Sequence, residues 1–219
     1  MREHPMRQPL AVLTGDIIAS QRISDITALY RVLDASLSRL AKHYGGRFER
    51  YRGDGFQLAI PCTSEALHAA VALRAELIMH SQDQRWDARV AVAVGHNEWQ
   101  PGSPLASADG PVFIASGKAL DAISESDAHL ALTEADAPHD AAMTLLVRYV
   151  DELIDGWSHY SAEIAFLKLW HDESQQAIAE RLGIRQPSVH KRLRAARWAM
   201  LADTLNFFQQ RLATEQPDE

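Results

Sequence analysis

The stretch Arg52-Gly53-Asp54-Gly55-Phe56 lies between two strand-like runs, residues 46–51 and 56–60. Adjacent aspartate and glycine favour a tight turn, because both residues tolerate positive φ. The two runs are therefore expected to pair as a hairpin, with Asp54 at its tip.

A second aspartate, Asp16, follows the apolar run 10–14, which is expected to be the neighbouring strand. Asp16 and Asp54 would then lie at the same edge of one sheet. Two carboxylates at such a distance repel each other unless a divalent cation joins them. The pair predicts a Mg²⁺ or Mn²⁺ site of the kind that phosphate chemistry requires. The alternative is structural, with Asp54 serving only the turn and Asp16 only a helix cap.

Strand-like and helix-like segments alternate over the first 135 residues, which predicts an α+β fold with a mixed sheet and helices packed on it. Beyond Pro138 the pattern is purely helical. Helices are predicted at 25–43, 64–80, 112–123, 141–157, 161–170, 174–182 and 187–208, and further strands at 87–95 and 129–133. The expected organisation is an α/β domain at 1–135, a helical domain at 136–212 and a disordered tail at 213–219.

Composition excludes several classes of protein. The 219 residues are 47% hydrophobic and 23% charged, with a net charge of −7, as in ordinary globular proteins. The single cysteine, Cys62, excludes an internal disulfide and a multi-cysteine zinc site. The segment 1–9 has no apolar stretch, and no window approaches the ~20 apolar residues of a membrane span. A cytoplasmic protein that does not enter a membrane is expected.

The segment 174–199 has the pattern of a helix-turn-helix. Ile178 and Val189 have the spacing of inward residues on two helices, and Gly183 permits the left-handed residue that ends the first helix. Six basic residues and no acidic residue occur from 181 to 197. The residues predicted to point outward and contact DNA bases or phosphates are Gln186, Ser188, His190, Lys191 and Arg194.

This segment resembles the helix-turn-helix of sigma-factor region 4, in which the second helix enters the major groove of DNA. The alternative is a plain helical hairpin with a solvated basic face.

The segment 45–56 resembles the metal-aspartate hairpin of class III nucleotidyl cyclases, and the order of motifs along the chain is similar to the SatD family. The resemblance implies a cyclase-like or ferredoxin-like sheet, a bound metal at Asp16 and Asp54, and a homodimer. The nucleotide-binding residues that it implies are Gly15, Ile17, Ile18, Arg50 and Gly53. Lys118 is the candidate catalytic cation, because no asparagine or arginine occurs between Gly110 and Ile123, where cyclases carry both.

Three functions remain open at this stage. The first is a DNA-binding transcriptional regulator whose cyclase-like domain senses a metal–nucleotide or a similar ligand. The second is an active cyclase or nucleotidyltransferase that makes a cyclic or linked nucleotide. The third is a scaffold in which the sheet only dimerises.

Overall fold

The computed structural model describes residues 7–51, 53–81, 83–171 and 173–213. It has an α+β fold built around one mixed sheet of five strands in the order β2-β3-β1-β4-β5. The strands are β1 Gln8–Ile17, β2 Arg47–Arg50, β3 Phe56–Ile60, β4 Ala88–Asn97 and β5 Leu130–Glu134. Only β4 and β5 run parallel, and the other neighbouring strands pair antiparallel. The predicted mixed sheet and its hairpin are confirmed.

Helices flank the sheet and continue after it. They are α1 Ile26–Tyr44, α2 Ala66–Met79, α3 Pro111–Ser124, α4 Ala141–Asp155, α5 His159–Trp170, α6 Gln175–Leu182, α7 Gln186–Ala195 and α8 Trp198–Ala213. Short 3₁₀ turns are present at Ser20–Arg22, Thr63–Glu65 and Leu105–Ser107. None of the described helices is long and apolar enough to span a membrane.

The two faces of the sheet are covered differently, and side chains alternate between them along each strand. Leu13 and Ile17 of β1 belong to the large core on the side of α1 and α2. Val12 belongs to a smaller core on the other side, under α3. Thr14 also faces α3, since its hydroxyl lies 2.8 Å from that of Ser116. By alternation, Asp16 is on the α3 side as well.

The C-terminal helices pack against α2, and buried residues from both parts of the chain form one continuous core. Arg74 of α2 is fully buried at this junction. The domain boundary near residue 135 stays a prediction.

The predicted single helix at 187–208 is wrong, because the chain breaks it between α7 and α8. Arg197 has a φ of 54°, in the left-handed region. The indole N–H of Trp157 donates to the carbonyl oxygen of Ala196, over 3.1 Å, and so holds the break from outside the helix. Ala213, assigned to a disordered tail, ends α8, whereas residues 214–219 lie outside the described part of the chain.

Candidate functional site

The ends of β1 and the β2–β3 hairpin meet at one edge of the sheet. Gly15 is the last residue of β1 that pairs with β3, opposite Phe56, so Asp16 lies next to the hairpin loop that contains Asp54. The N–H of Tyr51 donates to the carbonyl oxygen of Gly55, over 2.9 Å, and closes this loop. The two aspartates therefore share an edge, as the sequence pattern predicts.

The segment after β1 turns back over the hairpin. Ala19 adopts a left-handed conformation with a φ of 50°, and the 3₁₀ turn at Ser20–Arg22 follows. The hydroxyl of Ser20 donates a 2.5 Å hydrogen bond to Oδ2 of Asp54. A left-handed residue followed by helical residues turns successive N–H groups towards one point, which is a geometry that suits anions. The carboxylates and this turn are thus adjacent.

Gly15, Ile17 and Ile18, the residues assigned to nucleotide binding, have structural roles in the sheet. A Cβ on Gly15 would lie 2.4 Å from the carbonyl oxygen of Arg89 and 2.4 Å from the Phe56 ring, so only glycine fits. Ile17 is buried in the large core and pairs with Ala88. The N–H of Ile18 already donates to the carbonyl oxygen of Asp87, over 3.0 Å.

Arg89 of β4 is a member of the site that sequence reasoning missed. It is the register partner of Asp16, and its Nη1 lies 3.3 Å from Oδ1 of that aspartate. The only signal in the sequence is a charged residue in the otherwise apolar first part of β4, residues 88–94, and solvent exposure is the usual reason for that pattern. The guanidinium offsets the charge of Asp16, so a metal ion at Asp16 would share that carboxylate with Arg89.

The residues present fit a metal bound together with phosphate better than a metal alone. Asp16 and Asp54 offer hard oxygen ligands, as Mg²⁺ requires, and Mg²⁺ usually keeps several ligands from water or phosphate. Among the described residues, the only group of three side chains with metal-ligand spacing lies elsewhere. The two aspartates would therefore be the protein ligands of such a metal, and the remaining ligands would come from a nucleotide and water.

The remaining residues assigned to nucleotide binding, Arg50 and Gly53, and the candidate catalytic residue Lys118 are spread over the sheet and α3. Arg50 forms a 2.6 Å ion pair with Asp34, and its guanidinium lies 4.4 Å from the centre of the Tyr30 ring. These contacts direct Arg50 to the α1 side, away from the face that carries Thr14 and Asp16. Gly53 lies in the hairpin loop with a φ of 90°. Lys118 is exposed on α3.

The group of three with metal-ligand spacing, Asp87, His129 and Asp155, surrounds Arg74. Arg74 donates to both carboxylate oxygens of Asp87, over 2.8 and 2.9 Å, and to Asp155, over 2.7 Å. Its fourth contact of this kind is with Asp151, at 2.6 Å. A guanidinium already supplies the positive charge there, so this group fits a partly buried ion network and not a metal centre.

The charges in this network reinforce one another. The hydrogen bond with Asp155 raises the pKa of His129, although burial opposes the shift. Burial alone would raise the pKa of Asp155, but hydrogen bonds from His129 and Arg74 outweigh it and lower the pKa to about 2. The network joins α2, β4, the start of β5 and α4.

A second candidate site is the exposed face of α7. Ser174 caps α6 by accepting the N–H of Ala177, and Gly183 ends it with a φ of 62°. Val189 and Leu193 of α7 are buried. The five residues that the sequence assigns to DNA contacts are all exposed: Gln186, Ser188, His190, Lys191 and Arg194.

The basic residues of this region differ in their partners. Arg192 pairs with Glu163 at 2.6 Å, and Arg181 pairs with Glu173. Within the described part of the chain, no carboxylate forms an ion pair with Lys191 or Arg194. Their charge is therefore free to attract a polyanion.

No protein-family model and no curated protein sequence matches the chain. Solved structures that share part of its backbone include a bacterial light-regulated adenylyl cyclase, with 16% identity, coverage of 59% of this chain and 77% of that one, and a TM-score of 0.43. The guanylyl cyclase Cya2 is 16% identical, and the match covers 41% of this chain and 55% of Cya2, with a TM-score of 0.34. The adenylyl cyclase CyaB from P. aeruginosa is 20% identical, and the match covers 41% of this chain and 57% of CyaB, with a TM-score of 0.30. Likeness of this degree says nothing about the activity of this chain.

Proposed function

We propose that this chain is a DNA-binding transcriptional regulator whose sheet region senses a metal–nucleotide or a similar ligand. The observation that carries the proposal is the exposed face of α7. Lys191 and Arg194 lie there without a carboxylate partner among the described residues, next to Gln186 and Ser188. Cationic side chains neutralise phosphates, and amide and hydroxyl groups read base edges.

The charge distribution supports a local contact with DNA. The chain as a whole has a net charge of −7, while six basic residues and no acidic residue fall between 181 and 197. An acidic protein with one basic segment attracts a polyanion at that segment and repels it elsewhere. The helix-turn-helix at 174–199 is the proposed reading module.

The sensing part of the proposal rests on Asp16, Asp54 and the turn at Ser20–Arg22. Two carboxylates that leave neighbouring strands can hold Mg²⁺ or Mn²⁺, and the adjacent backbone turn suits a phosphate. If the protein has two conformations that differ at this edge and in DNA affinity, a ligand that binds one of them more tightly would shift the fraction of protein that can bind DNA.

A homodimer in the cytoplasm completes the proposal. A helix-turn-helix that binds as a dimer reads two half-sites about 34 Å apart, which increases specificity. Light scattering at micromolar concentration is the test, with and without DNA. A mass of 24.4 kDa under both conditions would mean that the chain acts as a monomer.

The alternative is an active nucleotidyl cyclase or nucleotidyltransferase that makes a cyclic or linked nucleotide from NTP, and the shared edge of Asp16 and Asp54 is the observation in its favour. Phosphoryl transfer needs stabilisation of the charge that spreads over the transferred group. The helix α3 offers only Lys118 for this, as a point charge without the fork geometry of arginine. Incubation with each NTP and Mg²⁺ or Mn²⁺, followed by mass spectrometry, tests the alternative directly.

The test of DNA binding is fluorescence anisotropy with genomic fragments over a range of salt concentrations. Lys191→Ala and Arg194→Ala should each lower the dependence of log K on log salt by roughly one unit. If no fragment binds more tightly than random DNA, or if both variants bind as the wild type does, the regulator proposal fails.

A further inference from the structure

The junction between α7 and α8 places an arginine where helices commonly carry glycine. Ala196 ends α7 with its N–H bonded to the carbonyl oxygen of Arg192, over 2.9 Å. The next residue, Arg197, has a φ of 54° and donates its N–H to the carbonyl oxygen of Arg194. A left-handed residue directly after a helix is usually glycine, because a Cβ is unfavourable in that conformation.

The fold requires this conformation but not this side chain. Trp157, itself buried, donates its indole N–H to the carbonyl oxygen of Ala196 and fixes the break. The carbonyl oxygen of Arg197 then accepts the N–H of Leu201 in the first turn of α8. Glycine would make the same backbone contacts without the unfavourable Cβ. The arginine side chain therefore needs another explanation.

The surface around Arg197 is strongly basic. A shallow depression of about 360 Å³ runs along the end of α7. Its lining residues are His190, Lys191, Arg194, Ala195 and Arg197. None of them is acidic, and in the described ranges no carboxylate forms an ion pair with Arg197. The depression thus presents three permanent cations and a histidine to solvent.

We propose that Arg197 is a phosphate-binding residue that holds the sugar–phosphate backbone of DNA in this depression, alongside the contacts of α7. The inference rests on the proposed DNA-binding function and adds a site to it. Guanidinium groups bind phosphate oxygens through two parallel hydrogen bonds, which fixes orientation. Contacts of this type set the position of a recognition helix and carry no sequence information themselves.

The position of Arg197 allows a test in which stability and binding change in opposite directions. Arg197→Gly should raise the Tm by about 2–4 °C, because the left-handed strain is relieved. The same variant should lower the salt dependence of binding by roughly one unit. The probe is a fluorescently labelled random-sequence DNA duplex, and anisotropy is measured over a series of KCl concentrations. A residue with only a structural role would not lose binding while gaining stability.

Two further variants complete the experiment. Arg197→Lys keeps the charge at the same backbone position, so it should retain the wild-type salt dependence. Arg148→Ala removes an exposed arginine from the outer face of α4, and it controls for net charge. It should leave the salt dependence unchanged.

The outcomes separate this site from the proposed function. If Arg197→Gly keeps the wild-type salt dependence while Lys191→Ala loses it, the Arg197 site is overturned and DNA binding stands. If Arg197→Gly lowers both Tm and binding, or if Arg148→Ala weakens binding equally, a specific phosphate contact is also overturned. If the wild-type protein does not bind the duplex at all, the site and the proposed function fail together.

Discussion

Arg74 of α2 and Asp151 of α4 are joined by a 2.6 Å hydrogen bond between Nη1 and Oδ1, and both side chains are buried. The same guanidinium binds Asp87 and Asp155. Asp151 uses its other oxygen to accept the N–H groups of His129 and Leu130 at the start of β5. One buried arginine therefore ties the sheet to the helices that follow it.

Removing Arg74 should destabilise the whole protein. Arg74→Ala leaves three carboxylates close together, two of them buried, without their common partner, and such a loss typically costs about 3–5 kcal/mol of unfolding free energy. Urea unfolding followed by circular dichroism measures it. Arg148→Ala, an exposed arginine on α4, is the control and should stay within about 0.5 kcal/mol of wild type. A cost of Arg74→Ala no larger than that of the control would contradict a structural role for the network.

The pair of His129 and Asp155 should make stability depend on pH in the neutral range. Because the folded pKa of His129 is raised, its contribution is complete below the unfolded value of about 6.5 and is lost as pH rises through the folded pKa. We expect His129→Asn to be destabilising under mildly acidic conditions and nearly neutral under alkaline ones, as measured by urea unfolding over a pH series. An equal effect of the substitution at every pH would show that the ion pair does not contribute. Asp155 acts in another window, since its pKa of about 2 means that its contribution is lost only as pH falls from about 4 towards 2.

Metal-dependent binding of nucleotides should require both aspartates of the sheet edge. Asp16→Asn or Asp54→Asn should weaken Mg²⁺-dependent NTP binding about tenfold or more, which is ~1.4 kcal/mol. The fold should survive, because the ion pair of Asp16 with Arg89 is partly exposed and contributes little to stability, and an asparagine oxygen can still accept the hydrogen bond that Ser20 donates to position 54. Isothermal titration calorimetry is the measurement. The matched control is Asp203→Asn, which changes an exposed aspartate on α8. Wild-type affinity in both site variants would remove the metal pair from consideration.

The hydrogen bond from Trp157 that holds the break between α7 and α8 should be needed for DNA binding as well as for stability. Trp157→Phe keeps most of the packing but leaves the carbonyl oxygen of Ala196 without its donor, at a cost of about 1–3 kcal/mol. We expect weaker DNA binding by anisotropy, since the depression beside Arg197 loses its fixed shape. Trp99→Phe is the matched control. It removes a similar indole hydrogen bond, to the carbonyl oxygen of Ser103, on the α3 side of the sheet and away from α7. DNA affinity that falls equally in both variants would point to general destabilisation instead.

The sequence by itself determined the elements whose signals are local. Alternating apolar residues and the Asp-Gly turn specified the hairpin, and through it the shared edge of Asp16 and Asp54. The helical period and Gly183 specified α6, its turn and the outward face of α7, because glycine permits a left-handed residue at no steric cost.

Tertiary structure decided everything that depends on a partner distant in sequence. Arg50 pairs with Asp34, Arg89 pairs with Asp16, and Arg74 binds the carboxylates of Asp87, just before β4, and of Asp151 on α4. The break at Arg197 also depends on a distant partner. No glycine or proline marks it in the sequence, and the hydrogen bond that holds it comes from Trp157, 39 positions away from Ala196. Local propensity describes only the conformation that a segment prefers alone, whereas the direction of a charged side chain is set by the ion pair and burial that the folded chain offers it.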